Sequence, residues 1–207
     1  MKKVCVAIFL CGFTLLIQAQ EFATLVDKLN QISLNESMRQ DAILRGQSRS
    51  MLCGYCHGKD GNSVKDYIPN LAQQNPEYLL SQFQQFASGQ RKSYVMEQVA
   101  KSLSDMEMID LSLYFSSHTV IPSQLESTSV KGKARYQSVC FACHGTDGKG
   151  SKNLPRLAGQ KKAFLLKSLN DFKQGKSARM HSPMVAIMKT IDSADIEPLA
   201  DYISFMK

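Results

Sequence analysis

The sequence repeats itself, and the repeat limits what the chain can fold into more than any other feature. Shifting the chain by 86 to 88 residues lays "PNLAQQNPEYLLSQFQQFASG" (69–89) over "PRLAGQKKAFLLKSLNDFKQG" (155–175), and "LSDMEMIDLSLYF" (103–115) over "IDSADIEPLADYI" (191–203). A unit of about 80 residues is a small domain; solenoid repeats run only about 20–50 residues. The chain of 207 residues, 43% hydrophobic, therefore reads as two copies of one domain, each with its own core. The polar, serine-rich stretch "SSHTVIPSQLESTS" (116–129) divides them.

Two further segments precede the first copy. Lys2 and Lys3 lead into Val4–Ile17, a run that is apolar except for Gly12 and Thr14. It falls short of the roughly 18–20 residues of a membrane-spanning helix and has the form of a signal-peptide core, so 1–19 is expected to be an export signal cleaved after Ala19. An uncleaved anchor is the alternative, since Ile17 stands where a small residue is usual; Phe9-Leu10 before Cys11 does not make a lipobox. Residues 20–44 form an extra amphipathic helical segment (Phe22, Leu25, Val26, Leu29, Ile32) with no counterpart in the second copy. The expected organisation is thus signal 1–19, helical extension 20–44, first domain 45–118, linker 119–128 and second domain 129–207.

Within each copy the pattern is helical. A short helix is expected before each cysteine motif, over Gly132 to Val139 and more vaguely near Gly46 to Leu52. Asn75-Pro76 reads as a helix start with Asn as N-cap. Leu79, Leu80, Phe83 and Phe86 then share one face, matched by Leu165, Leu166, Leu169 and Phe172, and Gly89 and Gly175 stand at the stops. Ser104 and Glu107 form a capping box for the last helix of the first copy. Pro198 in the equivalent helix predicts a late start, near Asp195.

Once the leader is removed with Cys5 and Cys11, the remaining cysteines lie in "LCGYCHGKDGNS" (52–63) and "VCFACHGTDGKG" (139–150). A zinc site needs about four ligands, and each copy offers only His118 or His181 to complete one. A thioredoxin-like redox pair belongs to a βαβ setting that the pattern lacks. Cys-x-x-Cys-His is the haem attachment motif, in which both thiols add to the macrocycle and the histidine ligates the iron. Cys53, Cys56, Cys140 and Cys143 are therefore expected to hold two haem c groups, with His57 and His144 as proximal ligands. A flat apolar group would also fill the limited core of so small a domain.

The sixth ligand sets the chemistry: methionine or histidine closes the iron for electron transfer, and an open position admits oxygen or peroxide. Met96 falls on Met184 at the 88-residue offset, the one methionine kept by both copies after the haem motif. Met106, Met108, Met180 and Met188 fall on non-methionine residues. Met96 and Met184 are the expected distal ligands; His181 is the main rival in the second copy, with Met180 and Met188 behind it. His118 reads as a solvated linker residue. Pro69 and Pro155 lie where the chain returns past the histidines, and their carbonyls can accept an imidazole N–H.

Taken together, "CGYCHGKDGNS", "CFACHGTDGKG", "PNLAQQ", "PRLAGQ", "FASGQR", the paired methionine-to-helix endings and "LYF"/"ADYI" resemble the exported dihaem cytochromes c of the cytochrome c4 type over about residues 45–207. The resemblance implies an all-α chain of two tandem class I cytochrome c domains in a pseudo-twofold arrangement, with haems close enough to exchange electrons. It implies the same four axial ligands and the same accepting prolines. It also implies a periplasmic electron carrier, not an enzyme, between quinol-oxidising respiratory components and a terminal oxidase. A dihaem peroxidase-like enzyme, or a fixed subunit of a dehydrogenase or sulfur-oxidising complex, is the alternative. The segment 20–44 and the crowded "RMHSPMVAIM" around Met184 depart from the family pattern; the first leaves room for peripheral inner-membrane contact. No nucleic acid is expected as a partner.

Charge divides the copies. Residues 20–128 carry 9 basic and 12 acidic residues, a net −3, whereas residues 129–207 carry 14 and 6, a net +8. Lys161, Lys162, Lys167, Lys173 and Lys176 concentrate the positive charge around one helix and are expected to meet an acidic partner surface.

Overall fold

A computed structural model of the chain describes residues 20–122, 129–179 and 181–207. The expected export signal, most of the linker and Met180 lie outside them. The first copy follows helix α1 (20–34) with α2 (Glu36–Arg49), α3 (Met51–His57), α4 (Pro76–Ala87), α5 (Tyr94–Lys101) and α6 (Asp105–Ser116). The second has α7 (Val130–Arg135), a π-helical turn (Tyr136–Cys140), α8 (Phe141–His144), α9 (Lys162–Lys173), α10 (Met184–Thr190) and α11 (Ser193–Phe205). Among the described residues the only extended pairing is an isolated bridge between Ser151 and Leu154.

In each copy the first and last helices cross at a glycine. A Cβ on Gly46 would sit 2.3 Å from the Asp110 carbonyl oxygen, and one on Gly132 would sit 2.0 Å from that of Pro198. Backbone therefore lies directly on backbone where α2 meets α6 and where α7 meets α11. Ion pairs flank both crossings: Arg49 to Glu107 at 2.6 Å in the first, Arg135 to Asp195 at 2.6 Å in the second. The buried apolar side chains form two clusters. One centres on Leu80, Ile109, Leu111 and Phe115, the other on Tyr136, Leu199 and Ile203. Each such aliphatic or aromatic side chain contributes about 1.5–3 kcal/mol when fully buried.

Several local expectations change. The helix before the first motif is longer and earlier than the short one expected near Gly46 to Leu52: it is the 14-residue α2, which runs through the expected boundary at residue 45. Its mean polarity hides it, because it packs through Ala42 and Gly46 instead of a stripe of large side chains. Pro198 does not delay the last helix, since α11 starts at Ser193 and contains it. A proline leaves the carbonyl four residues back without its N–H. Here that carbonyl, on Ala194, accepts from Lys131 Nζ at 3.1 Å.

Asn75 occupies the N-cap position, but its side chain does not cap. It crosses to the second domain and donates to the carbonyls of Lys149 and Leu154 at 3.0 and 2.7 Å. The capping box at Ser104 and Glu107 forms as read. Helix α1 turns its stripe inward: Leu29 and Ile32 are buried, and Phe22, Leu25 and Val26 pack on the first core. That apolar face is thereby occupied within the domain. No helix among the described residues is long and apolar enough to cross a membrane.

Candidate functional site

Cys53 and Cys56 stand three apart within α3, and Cys140, the last residue of the π-helical turn, stands three before Cys143 in α8, so each pair of thiols lies on one side, and the histidine ends the helix. The next residue in each copy, Gly58 or Gly145, has φ of 79° or 80°, a left-handed turn that swings the chain away from the imidazole. The chain then comes back. His57 Nδ1 lies 2.9 Å from the Pro69 carbonyl oxygen, and His144 Nδ1 lies 3.0 Å from that of Pro155. A carbonyl only accepts, so Nδ1 carries the proton in both rings and Nε2 keeps its lone pair for a metal. Burial holds both imidazoles below the usual histidine range, which favours the neutral form that ligates.

Burial also raises the Cys53 thiol and pushes Cys140 up to about 11. That is the reverse of the lowered pKa of a redox-exchange cysteine. None of the four cysteines is in a disulfide.

In the second domain an apolar cavity brings Cys140, Cys143 and His144 together with Met184 and Met188, between walls of Leu157, Leu169, Ile187, Ile191, Leu199 and Ile203. Met184 opens α10, with its N–H on Ser182 Oγ at 3.3 Å. His181 is exposed and does not line the cavity, and Met180 lies outside the described residues. In the first domain Met96 lies in the first turn of α5, its N–H on Ser93 Oγ at 3.3 Å, and packs with Cys53 on the first core. His118 is not a simple solvated residue. It donates to the Tyr114 carbonyl at 2.8 Å and packs edge-on against that ring.

The junction of the two halves gathers arginines. Arg91 and Arg179, 88 residues apart, lie over Phe86 and Phe172 with 4.5 and 4.6 Å from guanidinium to ring. Arg91 donates to Gln82 Oε1 at 2.6 Å, and Arg179 to the Tyr78 hydroxyl at 3.0 Å. Arg156 is buried and gives its Nε–H to the Ala158 carbonyl at 3.1 Å. None of the three forms an ion pair with a carboxylate among the described residues. Burial, with the like charge of Arg179, pushes Arg91 down to about 10. Desolvated guanidinium without an anion is costly. Apolar walls, paired thiols, a neutral imidazole and unmatched cations together fit haem, whose propionates would supply the anions. Sequence reasoning missed all three arginines, although "FASGQR" and "KSAR" place Arg91 and Arg179 at the repeat offset.

A helical domain with this arrangement, present twice, defines a two-haem c-type cytochrome. The cytochrome c family profile matches residues 129–207. The chain is 31% identical over 173 residues to cytochrome c4 of Pseudomonas aeruginosa, covering 76% of this chain and 85% of that one. It is 27% identical to a thiosulfate dehydrogenase electron acceptor of Stutzerimonas stutzeri, covering 75% and 79% respectively. The reduced recombinant cytochrome c4 from Pseudomonas stutzeri superposes with a TM-score of 0.71 at 30% identity, covering 78% of this chain and 97% of that one. The chain belongs to the cytochrome c4 family. It is an electron-transfer protein whose cofactor is covalently bound haem c, and its tandem domains match two such groups.

Proposed function

We propose that the chain is a periplasmic carrier that passes electrons from quinol-oxidising respiratory components to a terminal oxidase. The bound haem supplies a one-electron ferric–ferrous couple. Cys53, Cys56, Cys140 and Cys143 would anchor it, and His57, His144, Met96 and Met184 would ligate its iron. Pro69 and Pro155 fix the imidazole orientation, and Arg91 and Arg179 balance negative charge at the junction. The observation that carries this reading is the matched pair of Nδ1-to-proline bonds, 2.9 and 3.0 Å, behind two attachment helices.

The test is a redox-titrated visible spectrum of the mature protein. Two six-coordinate haems with the methionine–iron charge-transfer band are expected. Met184→Leu should remove half of that band and Met188→Leu should leave it; the reverse result would move the ligand to Met188.

The basic surface is the proposed face for the oxidase, but not all five lysines are available. Lys162 pairs with Asp201 at 2.9 Å, Lys167 with Asp171 at 2.5 Å, and Lys173 donates to the Ile191 carbonyl. Lys161 and Lys176 have no carboxylate partner among the described residues and are the stronger candidates.

The similarity to a thiosulfate dehydrogenase electron acceptor favours a second reading, in which a sulfur-oxidising dehydrogenase is the donor. Reduction of the oxidised protein by such an enzyme fed thiosulfate, compared with reduction by quinol-fed membranes, separates the two. The faster donor decides.

A further inference from the structure

We propose that Gln74 and Gln160 are positioning residues, each controlling the imidazole ligand of the opposite domain and so coupling the two iron sites through the domain interface. The inference rests on the assignment of His57 and His144 as ligands and deepens it.

The argument starts from one peptide group. The carbonyl between Pro69 and Asn70 accepts from His57 Nδ1 at 2.9 Å. The N–H of that same peptide, on Asn70, donates to Gln160 Oε1 at 2.7 Å. The second domain repeats the arrangement with roles exchanged. The Pro155 carbonyl accepts from His144 Nδ1 at 3.0 Å, and the Arg156 N–H of that peptide donates to Gln74 Oε1 at 2.6 Å. Each glutamine also returns a bond, Nε2 of Gln160 to the Asn70 carbonyl at 3.1 Å and Nε2 of Gln74 to the Arg156 carbonyl at 2.9 Å. All four residues are buried. The residues of each pair, 70 and 156 or 74 and 160, stand 86 apart, so the repeat itself generates the twofold exchange.

The two ends of a peptide group polarise each other. An acceptor on the N–H draws electron density toward the carbonyl oxygen and strengthens what that oxygen accepts. A stronger bond at Nδ1–H makes the imidazole a better donor through Nε2, and a better donor favours ferric iron. Gln160 should therefore hold the first-domain potential down, and Gln74 the second-domain potential.

The test is a redox titration of holoprotein followed through the haem methyl signals in NMR, which report each iron separately. Gln160→Met should shift the first-domain haem to more positive potential and leave the second nearly unmoved; Gln74→Met should do the opposite. Gln160→Glu, which keeps an acceptor on Asn70 N–H and strengthens it, should shift the first-domain haem to more negative potential and move the second less. This variant decides the matter if Gln160→Met does not load haem. Shifts confined to the mutated domain, equal shifts in both haems, or no shift in either variant would overturn the coupling. His57→Ala checks the underlying assignment. A six-coordinate first haem in that variant would sink the ligand assignment, whereas a changed spectrum beside unmoved potentials in the glutamine variants would sink the coupling alone.

Discussion

The two halves solve the same problem with different residues. Both have a tyrosine hydroxyl that holds a carbonyl just past the proximal histidine, that of Lys59, two residues on, in the first and that of Gly145, the next residue, in the second. In the first half the donor is Tyr114 of α6, at 2.8 Å; in the second it is Tyr136, which opens the π-helical turn, at 2.7 Å. The tyrosine equivalent to Tyr114 is Tyr202, which packs against Tyr136 with ring centroids 5.7 Å apart. The residue equivalent to Tyr136 is Ser50, at the end of α2. The donor changes helix and the acceptor moves by one residue. Around the imidazole the geometry is nearly identical, while the surfaces carry −3 and +8. What the two copies share is therefore set by the haem, and what they do not share is open to partners.

The largest effect should come from breaking one copy's anchor. Cys143→Ala removes a thioether from the second domain only. The haem-to-protein ratio in acid-acetone-washed protein should fall to about half, with the first domain still loaded. Equal loss from both would mean that the copies do not load independently.

The helix crossing offers the next comparison. Gly132→Ala drives a methyl onto the Pro198 carbonyl oxygen, at 2.0 Å, and Gly46→Ala drives one onto Asp110, at 2.3 Å. Overpacking costs about 1–3 kcal/mol where neighbours can shift and more where the neighbour is backbone. Both variants should lower Tm, with Gly132→Ala the worse because α7 is short and α11 already carries Pro198. Thermal unfolding followed by circular dichroism ranks them.

The smallest effect is electrostatic. Lys161→Glu with Lys176→Glu should slow electron transfer to the acceptor several-fold at low salt, and the difference should fade as the Debye length shrinks toward about 3 Å at 1 M. Matched reversals of exposed charges in the first domain should not slow it. Stopped-flow rates against ionic strength sharpen the contrast between the halves.

These sites differ in how visible they were in sequence. The attachment motifs and the apolar face of α4 were legible because each combines a spacing with a chemistry that the repeat restates. Helix α2 was not, since a contact made by glycine and alanine leaves no hydrophobic stripe. Gln74, Gln160 and Asn75 were not, because a polar side chain reads as solvent-facing until its partner backbone is known. Pro198 misled for a tertiary reason: the carbonyl it leaves free is taken by Lys131, which is 63 residues away.

The glutamine exchange has a consequence for how the chain is assembled. Residue 70 meets 160 and residue 156 meets 74, which is the isologous contact that two identical subunits make about a dyad. Joining such subunits in one chain replaces a bimolecular association with an intramolecular one, at an effective concentration on the order of mM for a short linker. Four amide bonds that would hold free domains only weakly can then keep the halves paired at any dilution. Once paired in this way, the copies no longer need to be identical, and one can turn acidic and the other basic without losing its mate.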